Sequence, residues 1–274
     1  MNLVVGLVVV VVATAVTVTV MLAVRRRAPA GSWFQDGDRA SGVFGVLATG
    51  FSVLLGFIIF LSFQSYDSSR TGAELEATTV LQQTQTAQFL PSGVSAELTA
   101  ELACYARSVA GVEWEALESG TLGDRVNPWG VELFRTISDV VPREATEQSA
   151  YDRWMDQTIQ REQARITRVH GAEGIIPLPL WLALFLITLV IFGYLLFFAD
   201  ASEGAVTQGM LMGSTTAVIT MLLLLLAFFD HPHGEGVGRL QPAAMERTVR
   251  VIDTELAILD LDLELPCDSD GNPR

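Results

Sequence analysis

The sequence has 274 residues, half of them hydrophobic, and a formal net charge of -14. All 17 basic residues are arginine, and an acid surplus of this size repels a phosphate backbone, which disfavours nucleic acid as a partner. Four uncharged apolar blocks alternate with acidic, arginine-containing segments, the pattern of an all-α membrane protein with several spans in a lipid bilayer.

The first block, residues 3–24, is rich in Val and Thr, and Arg25, Arg26 and Arg27 anchor its end. The basic cluster follows the apolar run instead of preceding it, so the run reads as a retained span and not as a signal peptide. A short link carrying Gly31, Asp36, Gly37 and Asp38 leads to the second block, residues 43–63, which closes a first membrane segment of residues 1–63. Twenty such residues make enough helix to cross a bilayer core of roughly 30 Å. No proline follows until Pro91, so the second span is expected to leave the membrane as a stiff rod and become the first helix of a soluble domain, with a joint near residues 65–72. Gly45, Thr49, Ser52 and Gly56 have offsets 0, 4, 7 and 11 and share one helical face. Phe44, Leu55 and Phe60 are read as the bulky opposite face. Small faces let helices approach closely in lipid; a packing seam and a pore lining both fit.

Residues 64–174 read as an acidic helical domain, with 17 acidic residues against 9 arginines between positions 64 and 176. Leu90, Pro91, Ser92 and Gly93 break its first helix. A second is expected from Ser95, a good N-cap, with Leu98, Leu102, Tyr105 and Val109 on its apolar face and an end near Gly111 or Gly120. Gly120, Gly123, Asn127, Pro128 and Gly130 mark a loop. A third helix is expected over about 131–140 and a fourth over 144–170. The second membrane segment, residues 175–229, holds spans three and four at 176–199 and 205–229. Gly209, Gly213, Thr216 and Thr220 repeat the offsets 0, 4, 7 and 11, which makes spans two and four candidates to pack on each other or to face a shared centre. The tail, residues 230–274, is acidic; residues 243–261 suit an amphipathic helix using Met245, Val249, Ile252, Leu256 and Leu259, and the last nine residues look frayed.

No Walker loop, HExxH, nucleophile elbow or dinucleotide fingerprint is present, so neither an enzyme nor a cofactor is expected. Asp230, His231 and His233, beside Glu235, are possible metal ligands; an ordinary polar exit loop is the plainer reading. Gln64, Tyr66, Asp67, Arg70 and Glu74 fall where span two leaves the lipid. Asp67 and Arg70 can pair at i,i+3, and Tyr66 suits the interfacial belt. The plain reading is membrane anchoring; the sharper one is a charged pathway mouth, extended by Glu76 and favouring cations. No span contains an internal charge, which weighs against a pump or proton-coupled carrier and suits a passive channel for small inorganic ions. Cys104 and Cys267 lie far apart; a disulfide and two free thiols are both open. An even number of spans puts both termini and the domain on one side. Arg25, Arg26 and Arg27 favour a cytoplasmic first loop, while Arg161, Arg165, Arg168 and Arg239 speak for the opposite orientation.

The order of these segments resembles the bacterial bestrophin-like family of four-span membrane proteins. The resemblance rests on DRASGVFGVLATGFSVLLGFIIFLSFQSYDSSRTGAELEA with FLP at residues 89–91, on Glu113 and Trp114, on RITRVHGAEGIIPLPLW at residues 165–181, and on FDHPHGEG at residues 229–236. The chain departs from the family in having Gly37, Asp38 and Arg39 where an Asn-Asp is usual, Gln82 to Gln88 where aromatic and basic residues are usual, and His233 where Phe is usual. The resemblance implies a homo-oligomer, pentameric as in bestrophins, in a bacterial plasma membrane, with the helical domain inserted between spans two and three on the cytoplasmic side. It implies that spans two line the axis, with Phe57, Ile58 and the run Phe60 to Phe63 as gate candidates. Bestrophins are anion channels, whereas the acidic mouth favours cations, so selectivity is left open. The alternative function is a non-conducting scaffold or sensor that binds a protein partner through residues 64–174.

Overall fold

The computed structural model describes residues 3–122, 125–171, 174–234, 236–258 and 263–274. The described residues form helices and no strand: α1 (Leu3–Arg25), α2 (Gly37–Ala87), α3 (Ser92–Ala110), α4 (Val112–Glu118), α5 (Pro128–Ser138), α6 (Ala145–His170), α7 (Leu178–Phe197), α8 (Ala205–Asp230) and α9 (Ala243–Ile258). They divide into two units. One comprises Met1–Ser65, Gly174–His231 and Glu235–Val237; the other comprises Tyr66–Glu173, Pro232–Gly234 and Gly238–Arg274.

In the first unit, α1, α7, α8 and the first part of α2 are long and apolar enough to cross a membrane. Phe51, Leu55 and Ile58 of α2 pack with Leu184 and Ile191 of α7 and Ile219 and Leu226 of α8. Helix α1 lies along α8. Gly209 and Gly213 meet Val18 there; a Cβ on Gly213 would stand 3.2 Å from Val18 Cγ2 and 3.4 Å from Thr14 Cγ2. Thr17 and Thr216 join hydroxyls at 2.8 Å. The small stripe of α8 therefore serves α1 and not α2, because the close approach it permits is already used by the Val and Thr side chains of the first helix. At one end of this unit the 26–36 link folds onto the turn after α7: Trp33 N–H donates to Phe197 O, and Phe34 stacks among Tyr194, Phe197 and Phe198.

In the second unit, α3 is central. Leu98, Leu102, Tyr105, Ala106 and Val109 are buried against Val80, Trp129, Leu133, Trp154, Met245 and Ile252. The tail helix α9 packs on α3 as its apolar positions require; Leu259 and its neighbours to residue 262 lie outside the described residues. Asn127 caps α5 by accepting from Trp129 N–H at 2.9 Å, and Pro128 suits the first turn. Gly123 lies outside the described residues. A reciprocal capping box of Glu144 and Glu147 starts α6.

Two local expectations are corrected, the cap at Ser95 and the frayed end. The second helix of the domain begins at Ser92, and Ser95 N–H bonds to Pro91 O at 2.8 Å inside the first turn, so Ser95 is not the cap. That helix ends at Gly111, one of the two ends expected, and a separate short helix, α4, follows. Helix α2 runs through residues 65–72, and Gly72 serves a close crossing of helices within the second unit, since a Cβ there would sit 2.7 Å from Arg168 N and 2.9 Å from Ala164 O. The chain end is not frayed. Cys267 is disulfide-bonded to Cys104, Trp129 Nε1 donates to Gly271 O at 2.6 Å, and Arg274 N–H returns to Pro266 O at 3.0 Å.

Candidate functional site

Each α2 residue advances about 100° round the helix, so Gly45, Thr49, Ser52, Gly56, Phe60 and Phe63, at offsets 0, 4, 7, 11, 15 and 18, form one strip. Every one of them is exposed in the single chain, and a Cβ on Gly45 or Gly56 would meet nothing within 4 Å. Phe60 thus stands about 60° from Gly45 and not on the opposite face, where Phe44 is half-buried and Leu55 buried. Phe57 is 59% exposed and Phe60 53%, while Phe63 is edge-on to Phe229 at 5.4 Å. Ser52 and Gly56 border an open groove of about 460 Å3 that also takes in Ser214, Thr215 and Val218 of α8. The hydroxyls there are self-satisfied, Ser52 Oγ donating to Ala48 O at 2.8 Å and Thr215 Oγ1 to Leu211 O at 2.9 Å. Such a surface is mildly polar but asks nothing of its surroundings. Thr220, on the α8 stripe, is half-buried.

At the other end of this unit Asp230, the last residue of α8, is buried. Its carboxylate accepts from Ile176 N–H at 3.0 Å and from Trp181 Nε1 at 3.4 Å, and His231 Nδ1 stands 3.6 Å from it. His233 belongs to the second unit, and Glu235 lies outside the described residues. Among the described residues no three potential ligands converge on a metal site; the Asp230 carboxylate caps the entry to α7 instead.

In the second unit the sequence-predicted mouth is partly drawn inward. Asp67 is exposed, as is Gln64, which belongs to the first unit. Arg70 pairs with Glu74 at 3.2 Å, so the i,i+4 partner replaces the expected Asp67. Tyr66 is half-buried and donates its hydroxyl to Gly238 O at 2.8 Å. Glu76 is no part of a vestibule: it is fully buried and takes Arg168 Nε on Oε2 at 2.5 Å, with Arg168 Nη2 and the Tyr105 hydroxyl on Oε1 at 3.2 and 2.7 Å. Arg168 Nη2 also donates to Glu113 Oε2 at 2.8 Å, and Arg165 Nη2 to Glu113 Oε1 at 3.0 Å. Arg161 lies over the Tyr105 ring at 4.8 Å and donates to Gln83 Oε1 at 3.1 Å. Burial alone would raise the Glu113 carboxyl, but Arg168 and Arg165 outweigh it and hold it below the usual carboxylate range. Burial likewise opposes the charge on Arg168, and Glu76 and Glu113 more than restore it. Two carboxylates and two guanidiniums thus neutralise each other inside the domain. Beside them His233 packs edge-on to Trp114 at 5.2 Å, with neither ring nitrogen hydrogen-bonded. Burial first, then the charges of Arg168 and Arg239, push His233 down to about 4, so the ring is neutral at pH 7.

A family model described as the bestrophin-like domain matches residues 8–245. The chain belongs to the bestrophin-like family. Solved structures agree in fold. Two forms of a bacterial bestrophin homolog from Klebsiella pneumoniae, each with a point substitution, align with TM-scores of 0.69 and 0.68 at 13% identity, covering 91% and 90% of this chain and 97% and 98% of theirs. A structure described as a membrane protein aligns with a TM-score of 0.67 at 13% identity, over 90% of this chain and 98% of that one. No curated protein matches the sequence. In this bestrophin-like chain the buried ion cluster escaped sequence reasoning, which took Arg161, Arg165 and Arg168 for membrane-flanking charge. A signal was present: their offsets of 0, 4 and 7 place three cations on one face of a helix, and such a face needs acidic partners if it packs inward.

Proposed function

We propose that this bestrophin-like protein is the subunit of a homo-oligomeric, passive ion channel in a bacterial plasma membrane. In this reading α1, α2, α7 and α8 cross the bilayer, and α2 faces the symmetry axis. Its strip changes character along the helix: small and hydroxylated from Gly45 to Gly56, aromatic at Phe60 and Phe63, with Phe57 about 120° from Gly45 on the flank, and charged at Asp67, Arg70 and Glu74. The aromatic stretch is the apolar constriction, able to gate by dewetting. Gln64, Tyr66, Asp67, Arg70 and Glu74 form the mouth, with Tyr66 fixed by its bond to Gly238. A pentamer, as the family resemblance implies, supplies the ring that four helices of one chain do not enclose.

The observation that carries the reading is the strip itself: glycines, Thr49 and Ser52 exposed on an apolar helix with no partner side chain against the two glycines. Lipid contact alone gives no reason for a small, hydroxylated face, whereas a water-filled axis or a second copy does. The test is reconstitution of the purified protein in planar bilayers. Conduction is expected, with a reversal potential in asymmetric salt that fixes selectivity, and Phe60→Ala is expected to raise the single-channel conductance. Silence with both anions and cations, across pH and calcium concentration, would favour the non-conducting scaffold.

A further inference from the structure

We infer that the helical domain stands on the oxidising, extracytoplasmic side of the membrane, the reverse of the side that the bestrophin resemblance implies. The inference rests on the four-span reading above. Two independent features of the chain carry it.

The first is the clasp at the chain end. Cys104, in the middle of α3, is cross-linked to Cys267 across 163 residues, and both are fully buried. The pairing is built in by the surrounding contacts. Gly271, at φ +80°, sits where a Cβ would come 2.2 Å from Ser108 N, and its carbonyl accepts from the buried Trp129 indole at 2.6 Å. Asp268 holds the turn by accepting from Asp270 N–H and Asn272 N–H at 3.0 and 2.8 Å. The two cysteines are therefore delivered to each other by packing and by hydrogen bonds. A bacterial cytoplasm keeps such thiols reduced, while the extracytoplasmic space lets them close.

The second feature is the placement of positive charge in the membrane unit. Its four arginines are Arg25, Arg26, Arg27 and Arg39, and it has no lysine. All four lie in or beside the short link between α1 and α2. Arg25 bonds to the carbonyls of Ala201 and Glu203 in the α7–α8 turn, so both short connections share one end of the unit. The opposite end, where α2 reaches Ser65 and α7 begins, carries no cation. Cations on short connections mark the cytoplasmic side. Helices that alternate in direction then send the chain out of the cytoplasm after α2. Arg161, Arg165 and Arg168 do not oppose this, because long domains translocate largely regardless of charge, and Arg165 and Arg168 are paired inside the domain. The domain, with Asp67 and Glu74, accordingly faces the extracytoplasmic solution, and a soluble ligand of the domain comes from outside the cell.

The test uses the full chain expressed in a bacterial host. Cells are acid-quenched, thiols are alkylated under denaturing conditions, and peptides are mapped without reduction. Most of the population is expected as the Cys104–Cys267 cross-linked peptide, and as alkylated thiols in a host lacking its periplasmic thiol oxidase. Alkylated Cys104 and Cys267 in the ordinary host would overturn the orientation. Val141→Cys, at an exposed position between α5 and α6, and Ala30→Cys, in the α1–α2 link, give a second readout with the native pair left in place. In spheroplasts a membrane-impermeant maleimide is expected to label V141C, and A30C only after permeabilisation. The reverse pattern would overturn the orientation and leave the spans standing. Labelling of both from the same side would overturn the four-span reading itself.

Discussion

In the membrane unit the one side-chain hydrogen bond between α1 and α8 among the described residues joins two hydroxyls, Thr17 and Thr216, and each of these also donates or can donate to a carbonyl of its own helix, Ala13 O at 3.0 Å and Met212 O at 2.8 Å. In the helical domain a guanidinium with no exposed surface lies between two carboxylates. The contrast teaches what each solvent permits. A hydroxyl in lipid has a fallback partner in its own backbone, so its interhelical bond adds little; measured bonds of this kind average about 0.6 kcal/mol. A buried charge has no fallback, so its partners become obligatory. The helical domain accordingly should break at single residues where the membrane unit should not.

The largest effect is expected from Arg168→Met. It leaves Glu76 buried without a cation and Glu113 with Arg165 alone, a loss of about 3–5 kcal/mol in thermal unfolding of the detergent-solubilised protein. Thr216→Val, the matching change in the membrane unit, is expected to cost less than about 1 kcal/mol. Equal costs for the two would erase the distinction between the units. Cys104→Ser comes next, at about 2–5 kcal/mol, because it releases the Cys267 turn from α3 in the unfolded and folded chain alike.

Two glycines of α2 then sharpen the contrast within one helix. Gly72→Ala forces a Cβ against the backbone of α6, 2.7 Å from Arg168 N, and should cost about 1–3 kcal/mol. Gly56→Ala meets open space and should leave the monomer unchanged or up to about 1 kcal/mol more stable, as helix propensity dictates. Any loss that Gly56→Ala does cause is expected to appear in the oligomer or its conductance. A destabilised monomer would mean that the strip is already covered within the chain.

The helices themselves were legible because a long apolar run or a 3.6-residue period is a local signal. Helix α6 runs from Ala145 to His170 against an expected 144–170, α7 is two residues shorter at each end than the expected 176–199, and Met245 and Ile252 of α9 are buried as its pattern asks. What stayed hidden is non-local. Glu76 and Arg168 stand 92 residues apart, and nothing around Glu76 distinguishes it from the exposed Glu74 two places earlier. Gly72 weakens a helix in isolation, and only the crossing helix α6 shows why it is there. The tail looked frayed because its polar turn, Asp268 to Asn272, reads as loop composition until Trp129 and Cys104 are set beside it. For the α2 strip the periodicity was visible, but its exposure belongs to the folded chain.

The smallest expected effect is one of pH, and it divides the helical domain against itself. Burial, partly offset by a hydrogen bond from Thr136 at 2.9 Å and reinforced by Glu97 and Glu132, raises Glu101 to about 7. The folded domain therefore binds a proton that the unfolded chain has released, and the stability this gives is full below the ordinary carboxylate range and fades as pH rises through about 7. His233, pushed down to about 4, does the reverse: the unfolded chain takes up the proton first, so stability is full above the ordinary histidine value and is lost as pH falls toward 4. The two slopes oppose each other over much of the window from pH 4.5 to 7. Glu101→Gln should expose the histidine's slope, its gain over the parent being about 1–2 kcal/mol larger at pH 8 than at pH 5. His233→Phe removes two buried nitrogens that have no hydrogen-bond partner and places there the residue the family usually has. It should stabilise the domain by about 1–2 kcal/mol at neutral pH and by more at pH 5, where the parent has begun to lose the histidine's contribution. Parallel melting curves for the two variants between pH 5 and 8 would show that neither group is buried as the structure places it.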